Sequence, residues 1–137
     1  MKKGIAAVAL LLSSPALAQQ NPIDLALAQC LNDATSTVAM VSCYDRASQA
    51  WDREMNIHYN QLINSLSGEP ATALRRTQRQ WLAYRDSWQA ASRAFFTRTQ
   101  GSMAQIAVAG QGVDLVRNQA LMLQSLNKGS CASNGDC

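Results

Sequence analysis

Residues 74–95 read LRRTQRQWLAYRDSWQAASRAF. Leu74, Trp81, Trp88 and Phe95 stand seven residues apart, and Thr77, Tyr84 and Ala91 fill the intermediate positions. That spacing is the seam of a helix packed near-antiparallel against its neighbours. The stretch therefore belongs to a helix from about Ala71 to Thr99, with Trp81, Tyr84 and Trp88 as its core motif. Arg85 and Asp86 fall at the border of the seam. A charged pair at such an edge either pins a neighbouring helix through charge-assisted hydrogen bonds or contacts a partner, since Arg and aromatic residues are enriched among the anchors of protein interfaces.

The same pattern continues to either side. Upstream, Val41, Tyr44, Trp51, Met55, Leu62 and Leu66 follow three-and-four spacing and predict a long helix from about Thr37 to Leu66, with Ser36 as its N-cap. Ser67-Gly68-Glu69-Pro70 punctuates its end. Pro22 to Leu31 reads as a short first helix that starts at a proline. Downstream of Gly101, Ile106, Ala109, Val113, Val116, Ala120 and Leu123 place a third long helix from about Met103 to Leu126. Gly110 and Gly112 weaken that helix or mark a close approach to a neighbour. After Asn127 the chain reads as a Gly/Ser/Asn-rich tail. No strand alternation, internal repeat or phosphate-binding glycine loop is present. The expected fold is all-α, a small bundle of three long helices and one short N-terminal helix, braced by disulfides.

The start of the chain has the composition of an export leader. Lys2 and Lys3 precede a short apolar run, Ile5 to Leu12, and Ala16-Leu17-Ala18 is a small-x-small cleavage site. The run is too short to span a bilayer. The expectation is a signal peptide over residues 1–18 and a single helical domain over residues 19–137, with its core at 23–126. No cysteine sits at the cleavage point to carry a lipid, so the product is expected to be periplasmic or secreted with no membrane anchor. The chain has 137 residues and a formal charge of +3. Removing the leader takes away two lysines and leaves the mature domain near +1. So small an excess argues against nucleic-acid binding driven by bulk charge.

Cys30, Cys43, Cys131 and Cys137 all lie in the mature part. Export and an even count point to two disulfides. Of the three possible pairings, Cys30 with Cys43 and Cys131 with Cys137 are favoured. The first closes a loop worth about 3 kcal/mol in the chain-entropy model. The second closes a small loop through an Asn-Gly turn. Zinc is disfavoured because no Cys-x-x-Cys spacing exists and His58, the one histidine, is remote in sequence. No haem-attachment motif occurs, so no metal or cofactor is expected.

Catalytic chemistry needs a constellation of groups that is not present. No Ser/His/Asp or Cys/His set is suggested. Asp52 and Glu54 are two residues apart and point to different faces, so they do not form a carboxylate pair. His58 falls on the seam of its helix and reads as a hydrogen-bonded interface residue. The helix containing the opening stretch is basic, with Arg75, Arg76, Arg79, Arg85, Arg93 and Arg98 against Asp86. It is either a solvated face answered by Asp45, Asp52 and Glu54 or a patch for an acidic partner.

Several of these features occur together in one known pattern. Cys30…Cys43, Asp52…Met55-Asn56…Tyr59…Leu62, Gln78…Gln80-Trp81-Leu82-Ala83-Tyr84-Arg85-Asp86 and Gly101-Ser102…Arg117 resemble the LprI-type lysozyme-inhibitor domain family. The resemblance covers roughly residues 30–126. It implies a small helical envelope or secreted protein that is not an enzyme and that blocks a cell-wall glycosidase by protein–protein contact. Members of the family commonly carry a further cysteine pair, where this chain reads Ser87-Trp88-Gln89 and Ala109-Gly110-Gln111; Cys131 and Cys137 are additions. Preorganised loops are natural insertion elements for such an inhibitor. The candidates are therefore Ser67, Gly68 and Glu69, and Gly101 and Ser102, with Arg85 and Asp86 as a charged contact. The alternative is an envelope structural or interaction protein, or an immunity protein, without lysozyme inhibition.

Overall fold

The computed structural model describes residues 20–134, with side chains through Gly129. Among the described residues the fold consists of four α-helices: α1 (Pro22–Asp33), α2 (Thr37–Ser65), α3 (Gly68–Thr99) and α4 (Ala104–Asn134), with a 3-10 turn at Gly101–Met103 between the last two. No strand occurs among the described residues. The all-α bundle of three long helices and one short one is as the periodicity predicts.

Local chemistry explains the helix ends. The Asn21 side chain accepts a hydrogen bond from the Ile23 N–H at 2.9 Å, with Pro22 behind it in the first turn. The Ser36 hydroxyl accepts from the Ala39 N–H at 3.2 Å, so each of these N-termini has one of its unpaired donors satisfied. Gly68 (φ 63°) and Gly101 (φ 55°) take left-handed backbone at the two tight reversals, where any other residue would be strained. Because Gly68 makes the reversal itself, α3 begins at that residue, three earlier than the sequence suggests.

α2 and α4 run parallel and form the dry centre. Tyr44 lies against Gly110, Trp51 against Arg117 and His58 against Asn127. Ala47, Trp51, Met55 and Leu62 of α2 interlock with Val113, Val116, Ala120 and Leu123 of α4. Trp51 and Met55 are the largest fully enclosed side chains. A Cβ at Gly110 would stand 3.6 Å from the Tyr44 ring, so the close approach expected there is real. α3 returns antiparallel along α4, with Gln78 beside Gln119 and Trp88 beside Gln111. It meets α2 at Gln78, whose amide lies 3.5 Å from the Met55 sulfur.

α1 is fastened at both ends. The Cys30–Cys43 disulfide ties it to α2, as expected, with a Cα–Cα distance of 5.7 Å. Arg117 of α4 grips the Asp24 carboxylate with three contacts of 2.8–3.0 Å while its guanidinium lies 5.5 Å from the centre of the Trp51 ring. The hydrogen bond to Asp24 raises the Arg117 pKa further, against a smaller lowering by burial. The segment expected as a tail continues as α4 to Asn134. The 1–18 leader and the Cys131–Cys137 pairing fall outside the residues whose side chains are described.

The core motif expected on α3 is corrected. Tyr84 and Trp88 are not core: they are 50% and 41% exposed, and Phe95 is 61% exposed. The face of α3 that looks inward carries Ala71, Gln78 and Ser92, with Leu74 and Trp81 at its edge. At about 100° per residue, this face lies roughly 70° around the helix from the aromatic seam. A single neighbour, α4, packs closely on α3, so the bundle covers only one edge of the seam.

Candidate partner-binding surfaces on the third helix

The correction leaves α3 with two distinct flanks. One is aromatic. Tyr84 and Trp88 are one turn apart with ring centroids 6.1 Å apart and planes tilted by 34°. The Trp88 indole N–H donates to Gln111 Oε1 of α4 at 3.0 Å, which fixes the ring while leaving its face open. Phe95 lies two turns further on along the same stripe and packs edge-on against Phe96 with centroids 5.4 Å apart. The Trp88–Gln111 bond joins the segments Ser87-Trp88-Gln89 and Ala109-Gly110-Gln111.

The other flank is polar and turns toward α2. Arg85 stands about 100° around the helix from Tyr84. Its guanidinium lies 5.6 Å from the centre of the Trp81 ring, and its Nε and Nη2 both donate to Asp86 Oδ1 at 3.0 Å. Trp81 packs on the core, so the Arg85 head is positioned by a rigid floor and a charged neighbour. Between this flank and α2 runs a groove floored by Val108, Gly112 and Val116 of α4. Of the two readings of the basic helix, a face answered by the acids of α2 is not the one seen: no ion pair joins α2 to α3 among the described residues. Asp45 and Arg93 share one part of the groove, yet no ion pair joins them among the described residues. Glu54 instead faces His58 at 3.7 Å, and Asp52 accepts from the Asn56 amide at 3.1 Å.

The structure does not gather the sequence candidates into one site. Ser67, Gly68 and Glu69 lie at one pole of the bundle, and Gly101 and Ser102 at the other. The 32-residue α3 between them is about 48 Å long. Arg85 and Asp86 stand near its midpoint, about 25 Å from either turn. One compact contact can use the middle of α3 or a pole, but not both poles.

Several of the residues on which the resemblance rests are structural. Met55 is core, Tyr59 packs against it, Asn56 bonds back to Asp52, and Arg117 holds α1. His58 is held as expected of an interface residue: Asn127 Nδ2 donates to its backbone carbonyl at 3.1 Å. Gln78, Gln119 and the groove residues Ser48, Gln49 and Gln89 carry no signal in the apolar periodicity. Among the described residues no cluster of potential metal ligands is present, and no helix is long and apolar enough to cross a membrane.

The described residues form a small helical bundle braced by a disulfide, with an open aromatic edge on α3. The chain is a member of the LprI lysozyme-inhibitor family, which matches residues 30–123. It is also similar to a protein of known structure, an uncharacterized protein from Burkholderia thailandensis. The TM-score is 0.69 and the identity 34%, over 77% of this chain and 53% of that one. The chain thus spans about half the length of that protein. No curated protein matches.

Proposed function

We propose that the chain is an exported inhibitor that binds lysozyme or a related cell-wall glycosidase through the aromatic flank of α3. The observation that carries this reading is the half-exposed pair Tyr84 and Trp88 on a rigid helix in a member of a lysozyme-inhibitor family. Glycosidases of this kind work with two carboxylates in a substrate cleft. A straight helical ridge carrying flat aromatic faces suits an elongated cleft built for sugar rings. Tyr and Trp supply large contact area at small entropic cost, and they dominate the energetics of protein interfaces. Trp88 is held by Gln111 before any partner arrives, so little freedom remains to be lost on docking. The flank is uncharged at its centre, which avoids repulsion of a basic enzyme by the arginines elsewhere on α3.

The test is lysis of bacterial cell walls by purified lysozyme with the protein added. Micromolar protein should suppress lysis. The Tyr84→Ala/Trp88→Ala double variant, checked for helicity, should weaken inhibition by about 30-fold or more. Glu69→Ala and Ser102→Ala, at the poles, should inhibit like the wild type. Undiminished lysis at micromolar protein overturns the lysozyme assignment, and full inhibition by the double variant overturns the choice of surface.

A further inference from the structure

The bridge that fastens α1 to α2 carries chemistry that a purely structural brace does not need. Its two sulfurs differ in access: Cys43 is 3% exposed, whereas Cys30 is only partly covered. Both line a hollow of about 500 Å³ between the end of α1 and the first turns of α2. Arg46, three residues beyond Cys43, reaches back over the bridge. Its Nη2 lies within hydrogen-bond distance of Cys30 Sγ and 3.7 Å from Cys43 Sγ. No carboxylate forms an ion pair with Arg46 among the described residues. Asp33 lines the same hollow, and its carboxylate accepts instead from the Asn32 amide at 3.5 Å. The guanidinium is thus committed to the disulfide.

Thiol–disulfide exchange needs a sulfur that an incoming thiolate can reach and a leaving sulfur whose charge is stabilised. Cys30 meets the first need. Arg46 meets the second, since a cation beside a cysteine favours its thiolate. We propose that Cys30–Cys43 is a thiol-exchange site that takes an external dithiol and, once reduced, releases α1 from α2. One thiolate of the dithiol attacks Cys30 Sγ. The Cys30–Cys43 bond breaks, and its electron pair leaves on Cys43 Sγ, which Arg46 steadies until it takes a proton from water. The second thiol of the reductant then loses its proton and attacks its partner sulfur in the mixed disulfide. That step expels Cys30 as a thiolate beside Arg46, where it is protonated in turn. Two electrons and two protons pass to the protein, and the dithiol ends as a disulfide. α1 is freed at one end only, because Arg117 still holds Asp24 in its first turn.

The test is reduction of the folded protein at fixed pH, quenched by alkylation. The Cys30 and Cys43 peptides are read by mass spectrometry, so Cys131 and Cys137 do not enter. Dithiothreitol stands for a small dithiol and reduced thioredoxin for a protein one. Reduction should run without denaturant, at a rate proportional to dithiol concentration. Glutathione, a monothiol, should leave its trapped adduct on Cys30. Arg46→Gln, at an exposed position, should slow reduction about fivefold, the loss of about 1 kcal/mol of attraction to a thiolate. Arg46→Lys keeps the charge and should restore most of the rate, which a merely structural role would not do. Both variants should keep wild-type helicity. Faster reduction by thioredoxin at equal thiol concentration assigns the reductant to a protein, and the reverse order to a small molecule. Reduction only in urea that unfolds the bundle, an adduct on Cys43, or an unchanged rate in Arg46→Gln overturns the site. The readout does not involve Tyr84 or Trp88, so this site stands or falls apart from lysozyme inhibition.

Discussion

α2 meets α4 and α3 in opposite ways. Against α4 it forms a dry seam in which Trp51, at 1% exposure, fills the space beneath Arg117. Against α3 it makes contact near Met55 and Gln78 and otherwise leaves a polar groove. The difference follows from composition. The facing residues of α2 and α4 are Ala, Val, Leu, Met and Trp, with Gly110 admitting the Tyr44 ring. The facing residues of α2 and α3 include Asp45, Ser48, Arg53, Arg85, Gln89 and Arg93, which lose less by staying wet than by packing. The molecule is therefore a firmly closed helix pair with a third helix laid along α4, and both long flanks of that third helix stay open.

The largest effect is expected on the closed side of α2. Trp51→Ala should cost about 3–5 kcal/mol, read as a lower denaturation midpoint in urea. A loss under 1 kcal/mol would show that the seam is not the stabilising half of the bundle. Next comes the buried amide pair where all three long helices meet. Gln119 Nε2 donates to Gln78 Oε1 at 2.9 Å. Gln119→Leu strands Gln78 without its partner and should cost about 1–3 kcal/mol. The Gln78→Leu/Gln119→Leu double variant should recover most of that loss, as a thermodynamic cycle would show.

A smaller effect tests the fastening of α1. Asp24→Asn should cost about 1 kcal/mol, because the pair is partly exposed. The sign of its pH dependence follows from Arg117. Its pKa is raised in the fold, so its contribution is complete below the unfolded guanidinium range and is lost only as pH rises through the folded value. The deficit of Asp24→Asn should therefore be the same at neutral and mildly alkaline pH, and a deficit that shrinks across that interval contradicts the pairing. Smallest of all is the open side. Arg93→Gln in the groove should change stability by less than about 0.5 kcal/mol, and a larger loss would mean that α2 and α3 are coupled there.

The helices, their order and the Cys30–Cys43 brace were legible because period, caps and turn glycines are local. So was the core of α2 and α4, where the apolar stripe and the buried face coincide. The stripe on α3 misled because a seven-residue repeat marks a face without saying how many neighbours cover it. With α4 packed on one edge, Trp81 is drawn in and Tyr84 and Trp88 are left out. Gln78 stood out only as part of the resemblance, and its burial against Gln119 was illegible because a buried amide pair looks polar in each sequence segment and is satisfied only across 41 residues of chain. The groove between α2 and α3 was hidden for the same reason, since its two walls come from different helices.

The Trp88–Gln111 contact has a consequence for the chemistry of assembly. α3 is joined to α4 there by a hydrogen bond, which needs no oxidant. The aromatic ridge can therefore be set in place before any thiol is oxidised, and a reducing environment would loosen α1 while leaving the ridge standing.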